Sequence, residues 1–390
     1  MTNEIKNMPE LRFPGFSEEW KKKKLEEIAY INDGTHMTPN YVQAGIPFFS
    51  VENVTRNDFV KSKFVTEEAY EKYKKRIDIE YNDILMTRIG SIGNVKLVNW
   101  RHPTTFYVSL ALLKIHEGFV PQYISYLLES FKVQKSIMSN SLVTAVPQKI
   151  NLIDLKKVDI VLTITINEQQ KIGNFFSKLD QQIELEEQKL SLLEEQKKGY
   201  MQKIFSQELS FKDGNSKDYP EWEETTVKEI ASITTGNKDT KDAIENGKYE
   251  FYVRSPKIHK INSYSFDGEA VLTVGDGVGV GKVFHYVNGK FDYHQRVYKI
   301  SDFNNYNALL FYYYFSTHFL REAQKYNAKT SVDSVRRDMI INMKIPNIII
   351  EEQGKISNFL SKLDELINKH GQKIDDLKIR KQGFLQKMFV

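Results

Sequence analysis

Two segments of this chain place apolar residues in alternating steps of three and four. In the first, Ile172, Phe176, Leu179, Ile183, Leu190 and Leu193 fall on one line, Glu186 fills a step inside it, and Lys197, Tyr200 and Ile204 continue it. In the second, Ile356, Leu360, Leu363, Ile367, Ile374 and Leu377 do the same, with His370 inside the line and Lys381, Phe384 and Met388 extending it. Such spacing is a coiled-coil seam and predicts two long helices, each of about 38 residues and about 57 Å. Neither helix can bury its seam alone, so each is the expected partner of the other. Antiparallel pairing, with a globular region at the start of each helix, would set the two regions at opposite ends around an approximate two-fold axis. The polar seam positions Glu186/His370 and Lys197/Lys381 coincide between the helices. They read as solvated breaks, with register fixing or contact with a partner as the alternative.

The two segments are also copies in sequence. EQQKIGNFFSKLD from Glu168 and EQGKISNFLSKLD from Glu352 open gapless stretches in which 19 of 38 positions are identical at an offset of 184, more than two unrelated helices would share. The repeat continues outside them, because Trp20, Ile28 and Gly34 match Trp222, Ile230 and Gly236 at an offset of 202. LRF at Leu11 is echoed by LSF at Leu209, which predicts that the two chain termini lie close together. Between these landmarks the pattern shortens to strand length. IPFFSVENV (Ile46–Val54) parallels EFYVRSPKI (Glu250–Ile258), and YVSLALLKI (Tyr107–Ile115) parallels DYHQRVYKI (Asp292–Ile300). ILMTRIGSIGNVKLV (Ile84–Val98) parallels VLTVGDGVGVGKVF (Val271–Phe284), and an Asn288–Gly289 hairpin turn is expected beyond it. The fold class expected is α+β: two β-rich globular regions separated by two long helices in an antiparallel coiled coil, with internal pseudo-two-fold symmetry. The boundaries read as a leader over 1–19, a first β-rich region over 20–166, a helix over 167–206, a linker over 207–221, a second β-rich region over 222–350 and a second helix over 351–390.

Composition narrows the chemistry. The chain has no cysteine, which excludes disulfides and thiolate zinc sites and suits a reducing cytoplasm. No apolar run is long enough for a membrane span, and the N-terminus has no apolar signal core. With 55 basic and 51 acidic residues the net charge is +4, which permits a nucleic-acid partner without demanding one. VLTVGDGVGVGKVFHY looks like a phosphate loop, yet Asp276 stands where its first glycine belongs, Val283 follows Lys282 in place of Ser or Thr, and no helix comes next. It reads instead as a connection between strands. None of the ten prolines is followed by another, so the Pro-Pro loop of adenine methylation is missing; GxSxG and HExxH are missing too. The chain is expected to be non-catalytic. The run Lys21–Lys24 reads as the charged first turn of a surface element, or as a phosphate patch. The Glu-rich segments Glu184–Gln188 and Glu194–Lys198 read as a solvated helix face, or as a partner surface.

The tryptophan leaders PELRFPGFSEEW and DYPEWEETTVKEI, the segments DGTHMTPNY and GIPFFSVENV, ILMTRIGSIGNV, and the helix openings INEQQKIGNFFSKLD and IEEQGKISNFLSKLD recur in a repeated order over nearly the whole chain. In that order the chain resembles the DNA-specificity subunits of type I restriction-modification systems. The resemblance implies two target recognition domains, each reading one half of a split, asymmetric duplex DNA sequence, with the helices as the spacer. It implies docking of two methyltransferase subunits and, through them, of the restriction (motor-nuclease) subunits. No cofactor is expected on this chain; S-adenosylmethionine would belong to the methyltransferase, ATP and Mg to the restriction subunit. A coiled-coil scaffold whose end domains bind proteins is the alternative.

Base readout uses hydrogen-bonding side chains on loops and strand ends. In the first domain the candidates are Thr35, His36, Ser50, Asn53, Arg88, Ser91, Asn94, Gln148, Lys149 and Asn151. In the second they are Lys238, Arg254, Lys257, His259, Lys260, Lys282, His294, Gln295, Arg296, Arg336 and Arg337. Most of the lysines would position the protein on phosphates rather than read bases.

Overall fold

The computed structural model describes residues 7–277, 279–326 and 334–390; Val278 of the glycine cluster lies outside the described residues. The chain forms two compact units, residues 1–188 with 371–390 and residues 189–370, so each contains one β-rich region and a stretch of both long helices.

In the first unit a four-stranded antiparallel sheet runs in the order Ala29–Asp33, Leu110–Ile115, Ile84–Thr87, Val95–Leu97. A second sheet carries Ile46–Phe49 between Lys63–Val65 and Thr105–Phe106. The lysine run Lys21–Lys24 is a strand, not a first turn. It pairs antiparallel with Asp159–Leu162, and Lys22 Nζ lies 2.8 Å from Asp159. Helix Pro121–Glu129, with proline at its first turn where no N–H is needed, buries Tyr123, Ile124, Leu127 and Leu128.

The second unit holds a six-stranded sheet in the order Ser232–Thr235, Val297–Ser301, Phe266–Val274, Phe284–Tyr293, Tyr249–Tyr252, His259–Ile261. Helix Ala308–Gln324, capped by the Asn307 side chain accepting from the Leu310 N–H at 2.8 Å, packs its Phe311, Phe315 and Phe319 into the core.

The two units share one plan, and their backbone bonds set the equivalences. Ile84 pairs with Leu113 as Val271 pairs with Ile300. The Phe49 carbonyl accepts from the Tyr107 N–H as Tyr252 accepts from His294. The glycine segments therefore align as read from the sequence. The IPFF segment is one residue out of the register read there, however, and the YVSLALLKI segment two. A two-residue slip keeps every side chain on its own face, which is why alternation alone does not reveal it. The Asn288–Gly289 hairpin does not form. Both residues lie inside strand Phe284–Tyr293, opposite Glu269 and Gly268, because the segments on either side pair with the same neighbouring strand. The hairpin turn comes earlier, in the glycine-rich connection between Val274 and Phe284.

The long helices span Ile166–Phe205 and Ile350–Lys387. In the first unit Leu179 and Ile183 pack with Leu377, and Phe175 meets Phe384 edge-on at 5.0 Å. In the second, Ile204 joins Ile356 and Leu360, and Tyr200 meets Phe359 at 5.1 Å. The early part of each helix thus lies against the late part of the other, which is antiparallel pairing. The middle seam residues Leu190, Leu193, Leu363 and Ile367 are half-buried.

The polar seam positions are not simply solvated. Glu186, buried, takes Lys373 Nζ at 2.8 Å. Lys381 reaches Asp180 at 2.8 Å and Glu129 at 3.3 Å, and Lys197 reaches Asp364. Three of these pairs, Glu186–Lys373, Lys381–Asp180 and Lys197–Asp364, bridge the two long helices, while Glu129 belongs to helix Pro121–Glu129. Leu11 N–H donates to the Lys387 carbonyl at 2.9 Å as Leu209 donates to Lys203 at 3.0 Å, so the LRF leader meets the end of the second helix as LSF meets the end of the first, in line with the sequence echo.

Candidate nucleic-acid interface

In the second unit several loops converge on one rim. Gly275 N–H donates to the Arg296 carbonyl at 2.7 Å, Val335 N–H to Gly275 at 2.8 Å, and Gln295 N–H to Lys238 at 2.8 Å. Arg254 Nη1 lies 3.3 Å from Asp276, and Arg254, His259, Asp276 and Gly277 line a cavity of about 380 Å³. The rim brings together Lys238, Arg254, His259, His294, Gln295, Arg296 and Arg336. Arg337 follows exposed at the start of helix Arg337–Ile341. Lys282 and Lys257 are exposed, and Lys260 sits in strand His259–Ile261, 3.9 Å from Glu250.

His294 points inward. It is buried, and its Nδ1 accepts from the Arg296 N–H at 2.9 Å. Burial, helped by the nearby Arg254 and Arg296 charges, holds its pKa below the usual value despite Asp239 and Asp276.

The first unit builds a matching rim from different side chains. Thr35 N–H donates to the Phe106 carbonyl at 3.1 Å, Arg88 N–H to Ser109 at 2.9 Å, Ile150 N–H to Arg88 at 2.9 Å and Gly90 N–H to Gln148 at 2.8 Å. Gly90 and Gly277 hold equivalent places with φ of 87° and 82°. Gly34 and Gly236 also correspond: a Cβ at either would sit 2.1 or 1.9 Å from a carbonyl oxygen of the neighbouring strand, so no larger residue fits.

On this rim His36, Ser91 and Gln148 are exposed and Asn94 and Lys149 half-buried. Arg88 and Thr35 are buried, and Arg88 gives Nη2 to Asp33 at 2.6 Å and Nη1 to the Ile150 carbonyl at 3.2 Å. Asp33 also receives Arg76 and, at 3.1 Å, His36. Burial alone would raise the Asp33 pKa, but Arg76, His36 and Arg88 together hold it below the usual range. Asn53 turns into the protein, donating to the carbonyls of Asp58 at 3.0 Å and Lys61 at 3.3 Å. Ser50 takes the N-cap of helix Val51–Arg56, and Asn151 that of Leu152–Lys156, where its side chain donates to Asp154 at 3.0 Å.

Residues the sequence reading passed over are the organisers. Asp33 and Arg76 are 43 positions apart, and nothing local links them. Asp276 was visible only as the residue that spoils a phosphate loop. The buried amides Gln169 and Gln353 anchor each long helix to its β-rich region: Gln169 accepts from the Val120 N–H at 2.8 Å, and Gln353 from Asn307 at 2.6 Å. The matching EQQ and EQG openings were their only signal. Among the described residues no group of His, Asp and Glu is arranged to hold a metal ion, and no helix is long and apolar enough to cross a membrane.

This arrangement defines a class: one chain bearing two diverged copies of a β-rich domain, each tied to the start of a long helix that pairs with the other. The type I restriction modification DNA specificity domain matches residues 17–195 and again 219–378. The chain belongs to that family, and is the non-catalytic DNA-specificity subunit of a type I restriction-modification system. It is 25% identical over 398 residues to the MjaVIII type I restriction enzyme specificity subunit of Methanocaldococcus jannaschii, covering 93% of this chain and 89% of that protein. It is 34% identical over 80 residues to the Escherichia coli EcoDI specificity subunit, which spans 20% of this chain and 17% of that one. In fold it is similar to the S subunit of a type I system from M. genitalium, with a TM-score of 0.66 at 17% identity over 98% of this chain and 99% of that chain. A chain from a solved type I complex-assembly structure superposes with a TM-score of 0.54 at 15% identity over 97% and 98%.

Proposed function

We propose that each rim reads one half of a split, asymmetric duplex DNA target, with target recognition domains over 20–166 and 222–350. The paired helices, 167–206 and 351–390, act as the spacer that sets the gap. The observation that carries this reading is the pair of rims: one backbone scaffold, two different sets of side chains. A homodimer with a two-fold axis reads a palindrome, whereas one chain with diverged halves can read two unrelated half-sites.

The side chains nearest base edges are the exposed ones, His36, Ser91 and Gln148 on one rim and Arg254, Gln295, Arg296 and Arg336 on the other. Lys149, Lys238, Lys257 and Lys282 contact phosphates. Arg88, Asn53, Thr35 and His294 shape the rims from inside. The chain docks two methyltransferase subunits, which use S-adenosylmethionine to methylate adenine, and through them restriction subunits that use ATP and Mg. The complex works in the cytoplasm, where the DNA is.

The test is to co-express the chain with its methyltransferase partner in a naive host and sequence the methylated DNA. A split motif with a constant gap is expected; an intact complex that leaves no motif overturns the reading.

A further inference from the structure

Asp276 leaves the end of strand Phe266–Val274, and its carboxylate stands between two arginines from elsewhere in the chain. Arg254 Nη1 is 3.3 Å from Oδ1, and Arg296 Nε is 3.6 Å from Oδ2. The side chains are 30%, 50% and 65% exposed respectively, so the carboxylate lies deeper than the two guanidinium heads, which stay open to solvent. The backbone fixes all three. Gly275 N–H donates to the Arg296 carbonyl at 2.7 Å, and a Cβ at Gly279 would lie 2.8 Å from the Arg254 carbonyl, so only glycine lets the connection rest there. The equivalent position in the first unit is Ile89, so this carboxylate is particular to the second rim. On a surface facing a polyanion, a carboxylate among cations weakens attraction to phosphate everywhere along the duplex. What it supplies in return is orientation, because an arginine held on one edge offers its remaining donors in a fixed plane.

We propose that Asp276 is a positioning residue for specificity. It holds Arg254 and Arg296 in the geometry that reads base edges, and it suppresses their use as sequence-blind phosphate contacts. This rests on the proposal that the rim contacts DNA.

The test uses the chain in complex with its methyltransferase partner and two readouts, methylated-motif sequencing and salt-dependent binding to duplex lacking the target. Asp276→Asn is expected to relax one half of the motif by about tenfold and leave the other half intact, the scale of one well-oriented base contact. Its binding to non-target duplex is expected to tighten, with the salt slope steeper by about one phosphate contact. Asp276→Glu is expected to recover discrimination. In an Arg254→Ala/Arg296→Ala background, Asp276→Asn is expected to change neither readout further, because residues acting as a unit are not additive.

An unchanged motif and slope in Asp276→Asn, or the same relaxation in the arginine-free background, overturns the inference. If Asp276→Asn does not assemble, Asp276→Ser is read in the same two ways: one relaxed half with a steeper salt slope supports the inference, and an unchanged motif and slope overturns it. A wild-type complex that writes no split motif would overturn the DNA-reading proposal itself, an outcome separate from the others.

Discussion

Glu168 and Glu352 hold the same place at the start of the two long helices, and each is claimed differently. Arg12 binds both oxygens of Glu168 through one edge of its guanidinium, Nε at 2.6 Å and Nη2 at 2.9 Å, whereas the indole N–H of Trp222 donates to Glu352 at 2.9 Å. Where arginine takes the carboxylate, the equivalent indole of Trp20 is buried with its N–H unpaired. Glu352, with one neutral donor, keeps a carboxyl that burial raises above the usual range, an effect the indole only partly offsets. The leader echo LRF/LSF held this exchange in view, since Arg12 stands where the second copy has Ser210, but no local rule says which partner an isolated arginine will find. His294 makes a prediction at the same scale. Burial holds its pKa below the usual 6.5, so as pH falls the unfolded chain takes up the proton before the folded one, and stability present above pH 6.5 is lost as pH drops through the folded value. His285, lowered by its own burial, acts in the same direction. Thermal unfolding measured at about pH 7.5 and about pH 5.5 should show a lower midpoint in acid, with a smaller drop in His294→Gln.

At the scale of elements, the helix pair repeats a three-part contact with the helices exchanged. Lys381 binds Asp180, which accepts from the Tyr126 hydroxyl at 2.8 Å; Lys197 binds Asp364, which accepts from Tyr313 at 2.6 Å. Each set ties both long helices to a shorter helix of the β-rich region. Burial opposes the charge on Lys381, but Glu129 and Asp180 outweigh it and raise its pKa above the usual value. Replacing Lys381 by Met strands two carboxylates, while replacing Lys197 strands one. Lys381→Met should therefore destabilise the chain more in urea unfolding, by about 1–3 kcal/mol, with partial exposure of Asp180 favouring the lower end. The seam was legible because its period is local. The lysines were legible as interruptions of that period, but their partners lie off the seam and gave no signal. The Asn288–Gly289 pair failed for a related reason: a turn dipeptide closes a hairpin only when its own flanks pair with each other, and pairing is decided by the whole sheet.

At the scale of the molecule, two readers on one chain should be separable. Exchanging Trp222–Ile350 for the corresponding segment of another specificity subunit is expected to change one half of the methylated motif and leave the other as it was. A change in both halves, read by sequencing the modified DNA, would mean that the readers are not independent.

The duplication, the two long helices and the lack of catalytic motifs all follow from the sequence itself, because repeats, helical periods and missing residue types are visible without any long-range contact; the antiparallel direction of the helix pair was an expectation that the packing of the early part of each helix on the late part of the other bears out. Tertiary structure alone decided the strand register between the copies and the pairing of the seam lysines. It also decided which of the polar residues flanking the glycine segments face solvent: Arg254 and Arg296 point outward, whereas Arg88, Asn53 and His294 turn in to partners. The physical reason is that a charged side chain is placed by whichever oppositely charged or hydrogen-bonding group the folded backbone brings within reach. Between Arg88 and Asp33 that group is 55 residues away along the chain.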